Sequence, residues 1–136
     1  MKQTQNALNL VGRLLVVALF LPAGLSKITG FAATVGYFGF LGIPAPTLAA
    51  IVTIAVEVLG SIALLVGYQT RVTAIVLAIF TLAASIAGHA FWAAPADQAF
   101  VAQLLFFKNV AVMGGLLVLA SAGAGQWSVD GKNASK

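Results

Sequence analysis

The sequence predicts an all-α fold, a bundle of four transmembrane helices in a lipid bilayer. Of the 136 residues, 61% are hydrophobic and only 7% are charged, and the mean hydropathy is +1.05. A soluble domain carries about 25% charged residues, because its surface must face water. Four apolar stretches are each long enough to cross a hydrocarbon core, which takes about 20 helical residues. No linker or low-complexity tract separates them, so we expect residues 1–136 to form one domain.

The four predicted spans are bounded by short polar or glycine-containing segments. They cover about residues 7–26, 47–67, 72–92 and 103–123. Only Tyr68-Gln69-Thr70-Arg71 separates the second from the third, which predicts a tight antiparallel hairpin. The first span has a competing interpretation as a signal peptide, because Lys2 precedes a short apolar core. No clear A-x-A cleavage site follows and Arg13 lies close to that core, so we expect the helix to be retained.

The segment between the first two spans, residues 30–46, is uncharged and too long for a simple turn. Its apolar and small residues recur near one helical face: Phe31, Val35, Phe38 and Gly42. This spacing predicts a short helix lying in the outer membrane interface, and a cap packed over the bundle is a compatible alternative. Pro44 and Pro46 would end it before the second span.

The distribution of Lys and Arg predicts the orientation in the membrane. With four spans, both termini and the turn at 68–71 share one side. That side carries most of the basic residues: Lys2, Arg71, Lys132 and Lys136. The other side has Lys27 and the acidic Asp97. Because Lys and Arg accumulate in cytoplasmic loops, we expect both termini to be cytoplasmic.

Charged residues inside apolar spans are the main candidates for a functional site, because each costs about 2.5–3.5 kcal/mol at the centre of a membrane helix. Glu57 lies at the midpoint of the second span, and Arg13 and Lys108 lie inside the first and fourth. We predict that the three meet, with Asn109, in an intrabundle polar pocket. Two cations against one carboxylate would favour an anionic or strongly hydrogen-bonding ligand. The structural alternative is one ion pair, Glu57 with Arg13 or Lys108, that sets helix register.

A polar stripe on the third span predicts an outer entrance to this pocket. Thr81, Ser85 and His89 recur every four residues and therefore share one helix face that rises towards the outer side. With Lys27 from the first span, Ser85 and His89 form the predicted entrance. His89 beside Phe91 is also typical of interfacial packing, whereas its functional interpretation is proton transfer or donation to a carbonyl ligand.

Composition excludes several classes of function. The chain has no cysteine, which removes thiol catalysis, iron–sulfur clusters and Cys-rich zinc sites. A single histidine cannot supply both ligands of a bis-histidine haem. We therefore expect no haem, iron–sulfur cluster or metal. The basic residues occur singly at membrane edges, so no nucleic-acid partner is expected.

Short motifs recur in a fixed order along nearly the whole chain. They are Arg13, Gly24-x-x-Lys27, Gly30-Phe31, Leu41-Gly42-Ile43-Pro44, Glu57-x-x-Gly60, Gly67-Tyr68-x-Thr70-Arg71, Gly88-His89-x-Phe91, Lys108-Asn109, Gly114-Gly115 and the ending Gly125-Gln126-Trp127-Ser128-Val129-Asp130. Together they resemble the DoxX family of small four-helix bacterial membrane proteins, especially its enterobacterial inner-membrane branch. The resemblance implies the four-helix fold and a location in the bacterial inner membrane. It identifies no catalytic residue.

The resemblance implies function more loosely. The family includes a subunit of a thiosulfate:quinone oxidoreductase and members linked to membrane redox and oxidative-stress complexes. The more distant four-helix thiol oxidoreductases need cysteines that this chain lacks.

Three functions therefore stay open. The first is a non-enzymatic binding or accessory subunit that holds a quinone or another lipophilic or anionic ligand. The second is the membrane component of an oxidoreductase complex whose redox centre lies on a membrane or soluble partner. The third is a small proton-coupled transporter, which with four helices would have to form a homo-oligomer.

Overall fold

A computed structural model describes residues 2–136, which form six α-helices and one short 3-10 helix, with no strand in that range. The elements in chain order are α1 (Lys2–Thr29), α2 (Phe31–Phe40), α3 (Pro46–Val66), α4 (Thr70–Gly88), the 3-10 helix (Phe91–Ala93), α5 (Ala99–Ala122) and α6 (Val129–Ala134). Four of them, α1, α3, α4 and α5, are long and apolar enough to cross a membrane. The predicted all-α bundle of four transmembrane helices, with a short helix between the first two, is confirmed.

Three helices differ from the predicted spans, and one of them, α5, begins at Ala99 and not near residue 103. Helix α1 begins at Lys2 and ends at Thr29, so it extends beyond residues 7–26 in both directions. Helix α4 ends at Gly88, and the remainder of the span predicted to reach residue 92 is partly a 3-10 helix. Gly88 and the non-helical backbone of His89 account for this early end, because glycine is a poor helix former.

The helices pack in the order α1, α3, α4, α5, and α2 lies against α3. We call the side of the bundle that carries α6 and the α3–α4 turn the terminal side, and the other the opposite side. The buried core lies mainly in the terminal half, where the side chains that pack together are Val17, Phe20, Leu64, Ala74, Leu77, Ala78, Leu116 and Leu119.

Gly24 allows α1 to approach α3 closely. A Cβ atom at this position would lie 2.7 Å from Cγ2 of Val58 and 3.1 Å from Cβ of Glu57. Small residues at helix contacts are a common means of close packing in membranes. The absence of a side chain at Gly24 therefore brings the backbone of α1 next to Glu57.

The α3–α4 turn is closed by backbone hydrogen bonds. Gly67 adopts a left-handed conformation with φ of 69°, which glycine tolerates without a steric penalty. Its N–H donates to the carbonyl of Leu64 at 3.2 Å, and the N–H of Tyr68 donates to the carbonyl of Ala63 at 2.8 Å. This pair of bonds is the Schellman arrangement that ends many helices.

The C-terminal segment folds back over this turn. The N–H of Asp130 donates to the carbonyl of Gly67 at 2.9 Å. Two asparagines of α1 bind the same segment, since Asn9 donates to the carbonyl of Gly123 at 2.6 Å and Asn6 accepts from the N–H of Gln126 at 3.0 Å. Residues 123–134 therefore join α1, α3 and α4 on the terminal side.

Candidate functional site

A cavity of about 650 Å³ lies among α1, α2, α3 and α4 in the opposite half of the bundle, with one lining residue from α5. Its size is within the range of about 300–1,000 Å³ that is typical of small-molecule sites. Apolar side chains such as Leu19, Val52 and Phe80 make most of the wall. Seven polar or ionisable side chains also line it: Lys27, Tyr37, Thr53, Glu57, Thr81, His89 and Asn109. The cavity is thus apolar with a limited set of hydrogen-bonding groups.

An ion pair between Lys27 and Glu57 lies in the wall of this cavity. Nζ of Lys27 is 3.1 Å from Oε1 and 3.0 Å from Oε2 of Glu57. The Glu57 side chain is buried, with 7% of its surface exposed, and that of Lys27 is 24% exposed. The carboxylate inside the membrane therefore has a cationic partner, as the high cost of an isolated charge requires.

The pair forms although Lys27 is near the end of α1 and Glu57 is near the middle of α3. Side chains of a helix lean towards its N-terminus, so the Lys27 stem points back towards the middle of the bundle. Consistent with this direction, Nζ also lies 3.4 Å from the carbonyl oxygen of Ala23, one turn earlier. The predicted entrance residue Lys27 is therefore the partner of Glu57.

A chain of hydrogen bonds along α4 forms another part of the site. The Thr81 hydroxyl donates to the carbonyl of Leu77 at 2.7 Å, and the Ser85 hydroxyl donates to the carbonyl of Thr81 at 2.7 Å. Nδ2 of Asn109 donates to the Ser85 hydroxyl oxygen at 2.9 Å. Ser85 is buried and links α4 to α5, so it does not lie at an open entrance. Asn109 and His89 line the cavity.

The prediction that Arg13 meets Glu57 is wrong. Arg13 is fully buried in the terminal half, where its guanidinium donates to the carbonyls of Leu64 at 2.9 Å, Leu65 at 3.0 Å and Trp127 at 2.7 Å. Its Nε also donates to Oδ1 of Asn9 at 3.1 Å. The last carbonyls of a helix have no intrahelical partner, and the five donors of an arginine can satisfy several of them. Arg13 therefore caps α3 and binds the C-terminal segment.

The prediction that Lys108 joins Glu57 is also wrong. Lys108 is exposed on α5, does not line the cavity, and has no hydrogen-bond or ion-pair partner within residues 2–136. Adjacent residues on a helix point about 100° apart, so the rotation of α5 decides which of Lys108 and Asn109 faces α4. Helix α5 turns Asn109 towards α4 and leaves Lys108 outside.

Of the residues predicted for the pocket, the structure brings Glu57 and Asn109 to one cavity and adds Lys27 and His89 from the predicted entrance. Sequence reasoning missed Tyr37, which lines the cavity from α2. The orientation of α2 depends on its packing against α3 and α1, and no local pattern in the sequence states which face turns inward.

Four apolar helices and an internal ion pair define a small multi-pass membrane protein with a polar site inside the bundle. The chain belongs to the DoxX family, whose family model matches residues 8–90, and the predicted resemblance is confirmed. It is 37% identical to the Inner membrane protein YphA of Escherichia coli (strain K12) over 121 residues. These aligned residues cover 89% of this chain and 86% of that protein. These relations and the four helices make the chain a multi-pass inner-membrane protein.

Other similarities extend to a second bacterial protein and a yeast protein. The chain is 38% identical over 130 residues to the Inner membrane protein YqjF of Escherichia coli (strain K12), covering 96% of this chain and 95% of that protein. It is 29% identical over 80 residues to the ER-derived vesicles protein ERV29 of Saccharomyces cerevisiae, covering 59% of this chain and 26% of that protein. No solved structure matches the chain.

Proposed function

We propose that this protein is a non-enzymatic binding or accessory subunit. It holds a neutral lipophilic molecule whose ring carries carbonyl oxygens, such as a quinone. The observation that carries this proposal is the Lys27–Glu57 ion pair in the wall of a largely apolar cavity of about 650 Å³. Such a cavity would accept an apolar ring and tail and bind the oxygens at its polar residues. Ligand sites commonly combine an apolar wall with a few placed polar groups.

The ion pair offers both kinds of hydrogen bond to one ligand. The Lys27 ammonium can donate to a quinone carbonyl, and the Glu57 carboxylate can accept from the hydroxyl of the reduced form. Asn109 and His89 add further hydrogen-bonding groups to the same cavity. Hydrogen bonds to charged groups are strengthened where water is excluded.

The charge balance favours a neutral ligand over an anionic one. Arg13 and Lys108, the cations expected to leave an excess of positive charge, do not line the cavity. The charge of Lys27 is offset by Glu57 at 3.0 Å, so an anion would have to compete with a carboxylate already in place. A neutral carbonyl can bind Lys27 while the ion pair persists.

Photoaffinity labelling with a quinone probe in native membranes tests this proposal. We expect Glu57→Gln to lower labelling roughly tenfold, the equivalent of about 1.4 kcal/mol in binding. Asp97→Asn is the matched control, because Asp97 is an exposed carboxylate that does not line the cavity. Equal labelling of the wild type and Glu57→Gln would exclude the proposed site.

The same cavity would serve a second role, as the membrane component of an oxidoreductase complex. Because the chain has no cysteine, a quinone bound beside Glu57 would exchange electrons with a redox centre on a partner protein. Purification in mild detergent, followed by identification of associated proteins, tests this role. A preparation that carries quinone but no redox protein would leave only the binding role.

We also propose that both termini lie in the cytoplasm. This orientation is supported by the basic residues of the terminal side, Lys2, Arg71, Lys132 and Lys136, against Lys27 and Asp97 near the opposite side. A C-terminal fluorescent-protein fusion should fluoresce, and a C-terminal alkaline phosphatase fusion should be inactive. The reverse pattern would place the half of the bundle that holds the cavity towards the cytoplasm.

A further inference from the structure

One face of α5 points away from the rest of the bundle. We define the α5 outer face by five exposed residues that share a side of the helix: Leu104, Lys108, Ala111, Gly115 and Val118. Leu104 is 56% and Val118 is 68% exposed. A Cβ atom placed on Gly115 would meet no atom within 4 Å. The face therefore combines apolar and small residues with one cation, and nothing within residues 2–136 covers it.

Lys108 lies well inside the apolar span of α5. At 1.5 Å per residue it is about 13.5 Å from the start of α5 at Ala99. The helix of 24 residues is about 36 Å long, so a hydrocarbon core of about 30 Å leaves about 3 Å at each end. With α5 centred in the core, the Lys108 Cα atom is about 10 Å below the nearer boundary, and its stem must extend fully towards the N-terminus of α5 to bring the ammonium closer to that boundary. Charges at such depth nearly always have a partner.

The carboxylates of this chain are engaged elsewhere or out of reach. Glu57 pairs with Lys27, and Asp130 accepts hydrogen bonds at the start of α4. Asp97 lies before the start of α5, and Lys108 is about 13.5 Å along the helix from that start. A second copy docked symmetrically through this face would bring two Lys108 side chains together at one depth, and its Asp97 would be equally distant. A carboxylate for Lys108 would therefore have to come from a different polypeptide.

We propose that the α5 outer face docks a transmembrane helix of another protein, one that carries an Asp or Glu at the depth of Lys108. Ala111 and Gly115 leave room for the backbone of that helix to approach, as small residues do at membrane helix contacts. The carboxylate would then satisfy Lys108 inside the membrane. This docking surface is separate from the cavity, because Lys108 does not line it.

Site-directed photo-crosslinking in native membranes tests the proposal. With the photoreactive group at Ala111, we expect one protein adduct whose crosslinked peptide is an apolar helix containing a carboxylate. Lys108→Met should lower the adduct at least tenfold, and Lys108→Arg should retain it. The same group at Leu59, which is 64% exposed on α3, is the control and should give no such adduct.

Several outcomes would overturn the proposal: adducts with lipid alone, adducts between two copies of this chain, no adduct, or an adduct that persists in Lys108→Met. Folding is checked by the thermal midpoint of purified Lys108→Met, which should not fall, because Lys108 makes no hydrogen bond or ion pair within residues 2–136. A charge exchange gives an independent measurement. Lys108→Asp combined with a lysine in place of the partner's carboxylate should restore the adduct, and failure to restore it counts against the ion pair.

Discussion

The carboxylate of Asp130 accepts a hydrogen bond from the backbone N–H of Thr70 at 2.8 Å, so the C-terminal helix caps the start of a transmembrane helix. Its other oxygen accepts from the N–H of Gln69 at 2.8 Å. The first N–H groups of a helix have no intrahelical acceptor, and a carboxylate there also interacts favourably with the helix dipole. This contact, together with Arg13, connects residues far apart in the chain on the terminal side.

Asp130→Ala should lower the free energy of unfolding by about 1–2 kcal/mol, the usual cost of removing a capping side chain. The measurement is thermal unfolding of the purified protein in detergent. Asp97→Ala is the control, because it removes an exposed carboxylate that forms no ion pair within residues 2–136. Equal midpoints for the two variants would contradict the capping role.

Acidification should remove the contribution of Asp130. Partial burial acts to raise its pKa, but the N–H groups of Thr70 and Gln69 and the charge of Arg13 outweigh it and hold the pKa below the ordinary value of 3.8. Because the folded-state pKa is the lower one, this stability is present above pH 3.8 and is lost as the pH falls through the folded value. Thermal midpoints measured from about pH 6 down to about pH 3 should fall more steeply for the wild type than for Asp130→Asn.

Arg13→Lys should destabilise the protein by about 1.5–3 kcal/mol, because lysine cannot replace the hydrogen bonds to Leu64, Leu65 and Trp127. Arg71→Lys is the matched comparison. Arg71 donates to the last carbonyls of α5 but is exposed, so water can replace its hydrogen bonds and the loss should be smaller. Quinone labelling of folded Arg13→Lys should equal that of the wild type. Selective loss of labelling would place Arg13 in the site.

The ion pair of the cavity should show different effects for single and double replacement. Glu57→Leu alone should cost about 3–5 kcal/mol, because it leaves a cation without its partner inside the membrane. Lys27→Met combined with Glu57→Leu should restore most of the stability, since apolar replacement of a buried pair is often neutral. Thermal unfolding measures this recovery. If the double variant is stable yet loses quinone labelling, the pair serves binding; if it keeps labelling, the pair serves structure alone.

Gly24→Ala should destabilise the contact between α1 and α3 by about 1–3 kcal/mol, the cost of overpacking. The added methyl group would lie 2.7 Å from Cγ2 of Val58. Gly12→Ala is the control on the same helix, where a Cβ meets nothing within 4 Å, and it should stabilise the helix by roughly 0.5–1 kcal/mol. Opposite changes in the thermal midpoint are expected. If Gly12→Ala lowered the thermal midpoint, it would contradict the finding that a Cβ at Gly12 meets no atom within 4 Å.

Much of the fold could be predicted because membrane insertion imposes a strong constraint on sequence. A span must contain about 20 apolar residues, so the four helices were visible in the chain before any packing was known. The short helix before Pro46 followed from helical spacing and the following prolines. Within the site, Glu57 could be identified because a carboxylate in an apolar run is expensive wherever it lies.

The partners of the charged residues could not be predicted by the same reasoning. Depth along a helix axis placed Arg13 and Lys108 near Glu57, but contact also depends on the rotation of each helix and on the direction of its side chains. In the structure α5 is rotated so that Asn109 bonds to Ser85 of α4 and Lys108 is exposed. The carbonyls at the end of α3 attract Arg13 to the terminal half.

The sequence by itself determined the membrane location, the four apolar helices and the presence of a carboxylate near the middle of one of them, because each follows from transfer free energies of individual residues. Only the tertiary structure decided that Lys27 pairs with Glu57, that Arg13 caps α3, and that Lys108 faces outwards. These relationships depend on how helices rotate and approach one another. Gly24 shows the physical reason, since the missing side chain sets how closely α1 can approach Glu57.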